Sequence, residues 1–234
     1  MQDTSKYQAF AKEKIGRSFH NVQLLITALT HRSYMNEHKK SASEHNERLE
    51  FLGDAVLELA VTEHLYRTYS EPEGILTNWR AALVRTESIA AAGARLGLYE
   101  LMRLSRGEKQ GSERAKHQIL ANAFEAVIGA LYLDQGYEKA RDFVHKNILV
   151  TFEDILATGS WRDAKSRLQE VAQSVDSQTP IYKVLAEVGP DHDKIFTLGA
   201  FISGKLRGKG SGPSKQIAQQ EAAKAALKSY EGKE

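Results

Sequence analysis

The sequence predicts a two-domain protein of the α plus α/β class, in which an all-α domain precedes a smaller domain with the order α-β-β-β-α. Apolar residues recur at three- and four-residue steps, as in amphipathic helices, nearly everywhere up to residue 156, and the period then changes to two. The chain has 234 residues, more than one compact domain usually contains. We place the first domain at 1–156, a linker at 157–161 and the second domain at 162–234.

Two helical segments of the first domain carry the strongest pattern. Apolar residues line one face of segment 46–57 and of segment 119–131. Each segment also contains a glycine, Gly53 and Gly129, which costs a helix roughly 1 kcal/mol relative to alanine. Such a cost is understandable where two helices pack closely, so we expect the two segments to meet at their glycines.

The second domain starts with a short helix, predicted over 163–173. Residues 181–188 and 195–203 then alternate between apolar and polar side chains, which predicts two strands. In the second of these strands, four apolar residues share one face: Phe196, Leu198, Ala200 and Ile202.

The end of the second domain is rich in glycine and lysine before its last helix. Residues 204–210 predict turns, and a third strand near 205–208 is the least defined element. Ser214 is expected to cap an alanine-rich helix that ends near Tyr230. The alanines of this helix are expected to pack on the sheet.

Composition excludes several kinds of site. Hydrophobic residues make up 41% and charged residues 26% of the chain, as in ordinary globular proteins. Because the chain has no cysteine, disulfides, thiol nucleophiles and cysteine-ligated metals are excluded. No apolar run approaches the roughly 20 residues of a membrane helix, and the start lacks a signal-peptide core. We expect a cytoplasmic protein that has no membrane association and no organic cofactor.

Charge is distributed slightly unevenly between the two domains. Residues 161–234 contain 12 basic and 9 acidic side chains, whereas residues 1–160 contain 20 and 21. The excess of basic residues favours an anionic partner for the second domain. A solvated surface of mixed charge would give similar counts.

Acidic and amide side chains lie beside the expected helix contact. Glu47, Glu50 and Asp54 are spaced i, i+3 and i+7, which places them on one stripe, and Asn122 and Glu125 lie one turn apart in the other helix. Carboxylates beside apolar helices are costly unless they are paired or bind a cation. Because all the donors are oxygens, the expected cation is Mg²⁺, which could stabilise charge on a phosphate. A solvated acidic stripe is the alternative.

These segments resemble a known family. The sequence ERLEFLGDAVL at 47–57 resembles the signature of bacterial ribonuclease III, and ILANAFEAVIGALYLD at 119–134 resembles its second active-site helix. Residues 165–227 resemble its double-stranded-RNA-binding domain. The resemblance covers nearly the whole chain, and a signature of this length is specific.

The resemblance implies a homodimeric endonuclease that cuts both strands of double-stranded RNA and processes ribosomal and messenger RNA precursors. It implies hydrolysis with Mg²⁺, for which Mn²⁺ can substitute, to give 5′-phosphate and 3′-hydroxyl ends. The implied metal ligands are Glu50, Asn122 and Glu125. The implied catalytic residues are Asp54 and Glu125, and the implied supporting acids are Glu47 and Glu73.

The resemblance also implies an RNA-binding surface on the second domain. A duplex of RNA is recognised by its phosphates and 2′-hydroxyls across successive minor grooves, over about 16 base pairs. Gln169 and Glu170 match residues of the first helix that touch one minor groove, and His192 lies in the loop that enters the next. The phosphate contacts are expected from Lys209, Ser214 and Lys215.

One position departs from the family pattern. Asn122 stands where the family usually has aspartate. The formal charge of the cluster formed by Glu50, Asp54, position 122 and Glu125 therefore falls from −4 to −3. Three interpretations remain open: an active variant, a loss of activity, or rescue by a neighbouring acid. The second would leave a double-stranded-RNA-binding protein that is catalytically attenuated. A helical phosphohydrolase acting on nucleotides would leave the second domain unexplained.

Overall fold

The computed structural model describes residues 4–38, 44–161, 163–190 and 194–230. The chain forms two compact units that divide between Thr158 and Gly159. Helix α11 continues to Thr158, so the first two residues of the predicted 157–161 linker are helical. No helix among the described residues is long and apolar enough to cross a membrane.

The described part of the first unit is built almost entirely from helices. The helices are α1 (Ser5–Phe10), α2 (Val22–Ala28), α3 (Arg32–Glu37), α4 (Glu47–Thr68), α5 (Glu73–Leu83), α6 (Thr86–Leu96), α7 (Leu98–Leu101), α8 (Arg106–Lys109), α9 (Glu113–Gln135), α10 (Tyr137–Asn147) and α11 (Phe152–Thr158). A π-helical turn, Ala11–Ile15, follows α1, and a 3₁₀ turn, Leu149–Thr151, precedes α11.

Helix α9 is the centre of this unit. Ser112 caps its start, because Ser112 Oγ accepts a hydrogen bond from the Ala115 N–H at 3.2 Å. Its apolar residues, including Phe124, Ile128 and Leu131, are fully buried, and they lie on several faces of the helix. A helix that is apolar nearly all round must be surrounded by other elements, and α2, α4, α6 and α10 all pack against it.

Helices α4 and α9 touch backbone to backbone at the two predicted glycines. A Cβ atom added to Gly53 would lie 1.7 Å from the Glu125 carbonyl oxygen, and one added to Gly129 would lie 2.2 Å from the Leu49 carbonyl oxygen. Such distances leave no space for any side chain. The prediction that the two helices meet at their glycines is therefore confirmed.

The second unit is a three-stranded antiparallel sheet with a helix before it and a helix after it. Its elements are α12 (Ala164–Asp176), β1 (Ile181–Val188), β2 (Ile195–Ile202), β3 (Lys205–Gly212) and α13 (Lys215–Leu227), and the strand order is β1-β2-β3. The buried alanines Ala218, Ala222, Ala223 and Ala226 of α13 pack against the strands, as predicted. The α-β-β-β-α order is confirmed.

Strand β3 is longer than the sequence indicates. It continues to Gly212, although the stretch from residue 204 to 210 is predicted to be rich in turns. Gly208, Gly210 and Gly212 alternate along the strand and face α13. A Cβ atom at Gly210 would lie 2.1 Å from the Ala222 backbone nitrogen. These glycines therefore allow the helix to lie directly on the strand and do not mark turns.

Candidate active site and RNA-binding surface

The glycine contact between α4 and α9 determines where the predicted acids lie. Glu50 and Asp54 flank Gly53 on α4, and Glu125 belongs to α9, where its own carbonyl faces Gly53. The Glu125 carboxyl group interacts electrostatically with both Asp54 and Glu50. The fold thus brings the Glu125 carboxyl group to two acids of α4 that lie more than 70 positions earlier in the sequence.

Glu125 is the most perturbed acid of this cluster. Burial and, to a smaller extent, the negative charges of Asp54 and Glu50 together raise the pKa of its carboxyl group to about 8. None of the described groups that shift this pKa is a cation. A half-buried carboxyl group beside two other acids and without a basic partner is the environment that a bound cation would stabilise.

Glu50 is stabilised in part by Asn122. Burial raises the pKa of the Glu50 carboxyl group, the charges of Glu47 and Asp54 raise it further, and a hydrogen bond from Asn122 lowers it. Asn122 also accepts a hydrogen bond at Oδ1 from Gln118 Nε2, at 2.7 Å. Asn122 therefore lies at the acid cluster, as predicted, and connects it to a residue one turn earlier in α9.

Glu47 lies at the exposed edge of the cluster, beside an arginine and a histidine. Its Oε1 atom is 3.3 Å from Arg32 Nη1, and its Oε2 atom is 3.8 Å from His45 Nδ1. Arg32 offsets part of the negative charge on this side. The side chain is close enough to influence Glu50 electrostatically.

The donor set fits a divalent cation only if Asn122 or solvent completes it. Among the described residues, no three acidic or imidazole side chains are gathered closely enough to hold a metal ion. Oxygen is nevertheless the donor in every side chain of the cluster, and Mg²⁺ usually keeps several waters beside one or two carboxylates. The residues that could hold the ion are Glu50, Asn122 and Glu125.

Glu73 lies away from the cluster within one chain. It occupies the first turn of α5, accepts a hydrogen bond from Thr77 Oγ1 at 3.0 Å, and lines a cavity of about 420 Å³ with Tyr66. Tyr66 is about 18 Å further along α4 than Asp54, because a helix rises 1.5 Å per residue. A role for Glu73 at the cleavage site would therefore need a second chain.

The start of α13 presents two of the three predicted phosphate-binding residues, Ser214 and Lys215. Ser214 Oγ accepts a hydrogen bond from the Ile217 N–H at 3.2 Å, which confirms Ser214 as the cap. Lys215 is exposed, with its Nζ atom 3.3 Å from Glu187 Oε1 and 5.4 Å from the centre of the Phe196 ring. The positive end of a helix and an adjacent lysine both favour a phosphate group.

The other predicted RNA-binding residues are distributed over the second unit. Gln169 and Glu170 are exposed on α12, and Lys209 is exposed on β3. His192 lies outside the described residues. Arg207, another basic residue of β3, is partly buried and stacks near the Tyr230 ring, so its side chain contributes to packing.

Comparison with known proteins assigns both units to one family. Residues 21–152 match the family model described as Ribonuclease-III-like, and residues 164–230 match the Double-stranded RNA binding motif. The Ribonuclease 3 of Desulforamulus reducens is 46% identical over 94% of this chain and 90% of its own length. The Ribonuclease 3 of Pelotomaculum thermopropionicum is 43% identical over 97% of this chain and 95% of its own length. The chain belongs to the ribonuclease III family.

A solved ribonuclease III structure agrees with this assignment. The nuclease domain of the Campylobacter jejuni protein covers 60% of this chain and 97% of its own, at 38% identity and a TM-score of 0.53. That domain shows structural flexibility in a region involved in dimer formation. The present ribonuclease III is thus an endoribonuclease, and its second unit supports activity on double-stranded RNA. Members of the family generally use a divalent metal.

Two features of this ribonuclease III were not predicted from its sequence. Asp134 is buried at the end of the ILANAFEAVIGALYLD segment, where its carboxylate accepts hydrogen bonds from the His20 and Asn21 N–H groups at 2.9 and 2.8 Å. It anchors the chain before α2. The imidazoles of His64 and His145 pack edge to face, with their centres 5.1 Å apart. Both contacts join residues at least 80 positions apart, so no local spacing indicates them.

Proposed function

We propose that this ribonuclease III hydrolyses phosphodiester bonds of double-stranded RNA with Mg²⁺, or Mn²⁺ in its place, and leaves 5′-phosphate and 3′-hydroxyl ends. The observation that carries the proposal is the half-buried Glu125 carboxyl group, which faces Glu50 and Asp54 without a basic partner. Such a cluster is stable only when a bound proton or a bound cation offsets its charge. A divalent cation supplies that charge, and the RNA-binding unit supplies the substrate.

The proposed ligands are Glu50, Asn122 and Glu125. Bound Mg²⁺ would lower the pKa of a coordinated water and offset the charge that develops on the phosphate. Asp54 is exposed beside these ligands, so we assign it the orientation of the attacking water. Water adds to phosphorus, its proton passes to the carboxylates, and the bond from phosphorus to the 3′-oxygen breaks as that oxygen takes a proton. Glu47 supports the geometry through its contacts with Arg32 and His45.

We further propose that the enzyme is a homodimer. Three large apolar side chains are exposed along one side of α4: Phe51 at 82%, Leu59 at 55% and Tyr66 at 79%. An apolar stripe of this kind is typical of a protein interface. A second chain would cover it and would place another Glu73 near the cleavage site. The nuclease domain of the Campylobacter jejuni relative likewise has a region involved in dimer formation.

The second unit is proposed to hold the RNA duplex through Gln169, Glu170, Lys209, Ser214 and Lys215. The ammonium groups of Lys209 and Lys215 can contact phosphates. Gln169 and Glu170, which are exposed on α12, can contact a minor groove. His192 stays a prediction. We expect the natural substrates to be structured precursors of ribosomal and messenger RNA. We place the activity in the cytoplasm, where such transcripts are made in bacteria.

The direct test is cleavage of an end-labelled RNA duplex of about 30 base pairs with Mg²⁺ or Mn²⁺. We expect cleavage by the natural sequence and its loss in Glu125→Gln, with products that carry 5′-phosphates. Binding of the duplex should be unchanged in that variant. Cleavage by Glu125→Gln at the parental rate would disprove the assigned site.

Asn122→Asp tests the second candidate function, a catalytically attenuated RNA-binding protein. The observation in its favour is that Asn122 Oδ1 is already engaged by Gln118. If the natural sequence does not cut and Asn122→Asp does, the missing charge has disabled the site. If both cut, an amide at this position is sufficient.

A further inference from the structure

The amide group of Asn122 is held in one orientation by residues on both sides. Gln118 Nε2 donates a hydrogen bond to Asn122 Oδ1 at 2.7 Å. On the other side Asn122 hydrogen-bonds to the carboxyl group of Glu50. An ionised carboxylate accepts hydrogen bonds and cannot donate them, so the Asn122 NH₂ group faces Glu50. The Asn122 oxygen consequently points towards Gln118 and away from the carboxyl cluster.

This orientation opposes the proposed role of Asn122 as a metal ligand. An amide binds a hard cation through its oxygen, and the NH₂ group cannot take that place. Asn122 can join Glu50 and Glu125 around one ion only after its amide rotates by about 180°, so that oxygen and nitrogen exchange places. The rotation breaks the hydrogen bonds to Gln118 and to Glu50.

Gln118 is suited to follow such a rotation. Its own amide carries both a donor and an acceptor, so Gln118 Oε1 can accept from the Asn122 NH₂ group once the Asn122 oxygen has turned to the cluster. The two residues are four positions apart on α9, which keeps them adjacent in either orientation. Gln118 is exposed, so no packing restricts its rotation.

We propose that Gln118 is a positioning residue that sets the orientation of the Asn122 amide and thereby the affinity of the site for a divalent cation. This inference rests on the proposed function of Glu50, Asn122 and Glu125 as metal ligands. One orientation of the amide pair satisfies Glu50. The reversed orientation presents the Asn122 oxygen to the cation, and Gln118 holds the Asn122 NH₂ group. An aspartate at position 122 would need no such partner, because both of its carboxylate oxygens can ligate.

A residue at position 118 that only accepts hydrogen bonds should favour the reversed orientation. Gln118→Glu meets this condition, but it also adds a negative charge. The effect of that charge on cation affinity must therefore be separated from the effect of the amide orientation. The separation uses a double-mutant cycle with Asn122→Asp, because the charge effect persists in the Asn122→Asp background while the orientation effect disappears. Gln23→Glu is the matched control: Gln23 is an exposed glutamine of α2, and the substitution makes the same change of charge.

The measurement is the Kd of Mn²⁺ for the full-length protein without RNA, from the free Mn²⁺ signal in electron paramagnetic resonance, with Mg²⁺ competition. We expect Gln118→Glu to tighten binding by about 10-fold in the natural sequence, the lower range for partners of metal ligands. In the Asn122→Asp background we expect a change of less than about twofold. Gln118→Met, which neither donates nor accepts well, should not reproduce the gain.

Two outcomes would overturn the inference. An equal change of Kd in both backgrounds would mean that only charge matters. No change in either would mean that Gln118 and Asn122 form an ordinary surface pair of α9, worth about 0.2–0.5 kcal/mol to the helix. RNA cleavage by the same proteins is recorded separately. If Glu125→Gln leaves both Mn²⁺ binding and cleavage intact, the proposed site itself has failed, whatever Gln118 does.

Discussion

The contact of α4 with α9 and that of β3 with α13 use the same device for different purposes. In both, glycines allow two backbones to approach more closely than any side chain would permit. Around Gly53 the neighbours are Glu50, Asp54 and Glu125, whereas around Gly210 they are backbone and Glu221 atoms of α13 beside buried alanines. Close approach therefore concentrates charge in the first unit and only supports packing in the second.

This difference explains why one contact forms the candidate active site and the other the scaffold of an RNA-binding surface. The first gathers groups whose repulsion a cation can relieve. The second leaves its proposed RNA-binding residues exposed on three different elements, with Gln169 on α12, Lys209 on β3 and Lys215 on α13, and we propose that each makes its own contact with a long duplex. We expect substitutions in the first unit to have large, coupled effects and those on the second surface to have small, additive ones.

The largest effect is expected from Gly53→Ala. Its methyl group would meet the Glu125 carbonyl oxygen at 1.7 Å, so the two helices must separate. We expect a loss of about 3 kcal/mol in the free energy of unfolding of the first unit, together with loss of cleavage. Urea unfolding followed by circular dichroism measures the first quantity. Gly210→Ala should destabilise the second unit comparably and reduce RNA binding, while the first unit keeps its stability.

The sequence was sufficient to predict the α4–α9 contact because glycine is costly in a helix and both segments are apolar. The same reasoning was wrong for the end of β3, since glycines in a strand and in a turn look alike until the helix that covers them is known. Gly208, Gly210 and Gly212 do occur at every second position, which was the available signal.

The sequence predicted the parts of the candidate site that depend on the spacing of residues along one helix. It did not predict the parts that depend on how helices pack or on how a side chain is oriented. Glu47, Glu50 and Asp54 follow from the period of one helix. The remoteness of Glu73 depends on where α5 packs along α4. The role proposed for Gln118 depends on the orientation of the Asn122 amide. That orientation is set by the contact with Glu50, which the sequence alone does not show.

Glu125→Gln should change how stability depends on pH. In the folded state the pKa of Glu125 is about 8, above its ordinary value of 4.5, so the folded protein binds the proton more tightly than the unfolded chain. Stability from this group is present at low pH and is lost as the pH rises from 4.5 to about 8.

The measurement for this prediction is the urea midpoint between about pH 5 and pH 8.5, with EDTA present to remove divalent cations. Glu125→Gln should lose less stability over that range than the natural sequence. Glu113→Gln is the control on the same helix, because Lys116 lowers the pKa of Glu113. Parallel curves for the natural sequence and Glu125→Gln would contradict the environment described for this carboxyl group.

Lys215→Gln should weaken RNA binding modestly and equally for all duplex sequences. If Lys215 contacts one phosphate, the slope of log Kd against log salt concentration should fall by about 1. Fluorescence anisotropy with a labelled duplex gives that slope. Lys224→Gln is the matched control, since Lys224 lies on the opposite face of α13, is similarly exposed and also has an acidic neighbour. An equal change for both lysines would indicate a general charge effect.

The smallest effect is expected from Gly74→Ala, which distinguishes glycines that allow close contact from glycines that do not. A Cβ atom at Gly74 would meet no atom within 4 Å, although the residue lies in the first turn of α5. Alanine favours a helix over glycine by up to about 1 kcal/mol, and the gain is smaller near a helix end. Urea unfolding should therefore give equal or slightly higher stability for Gly74→Ala. A loss as large as that of Gly53→Ala would mean that glycine itself, and not the approach of α9, accounts for the sensitivity of Gly53.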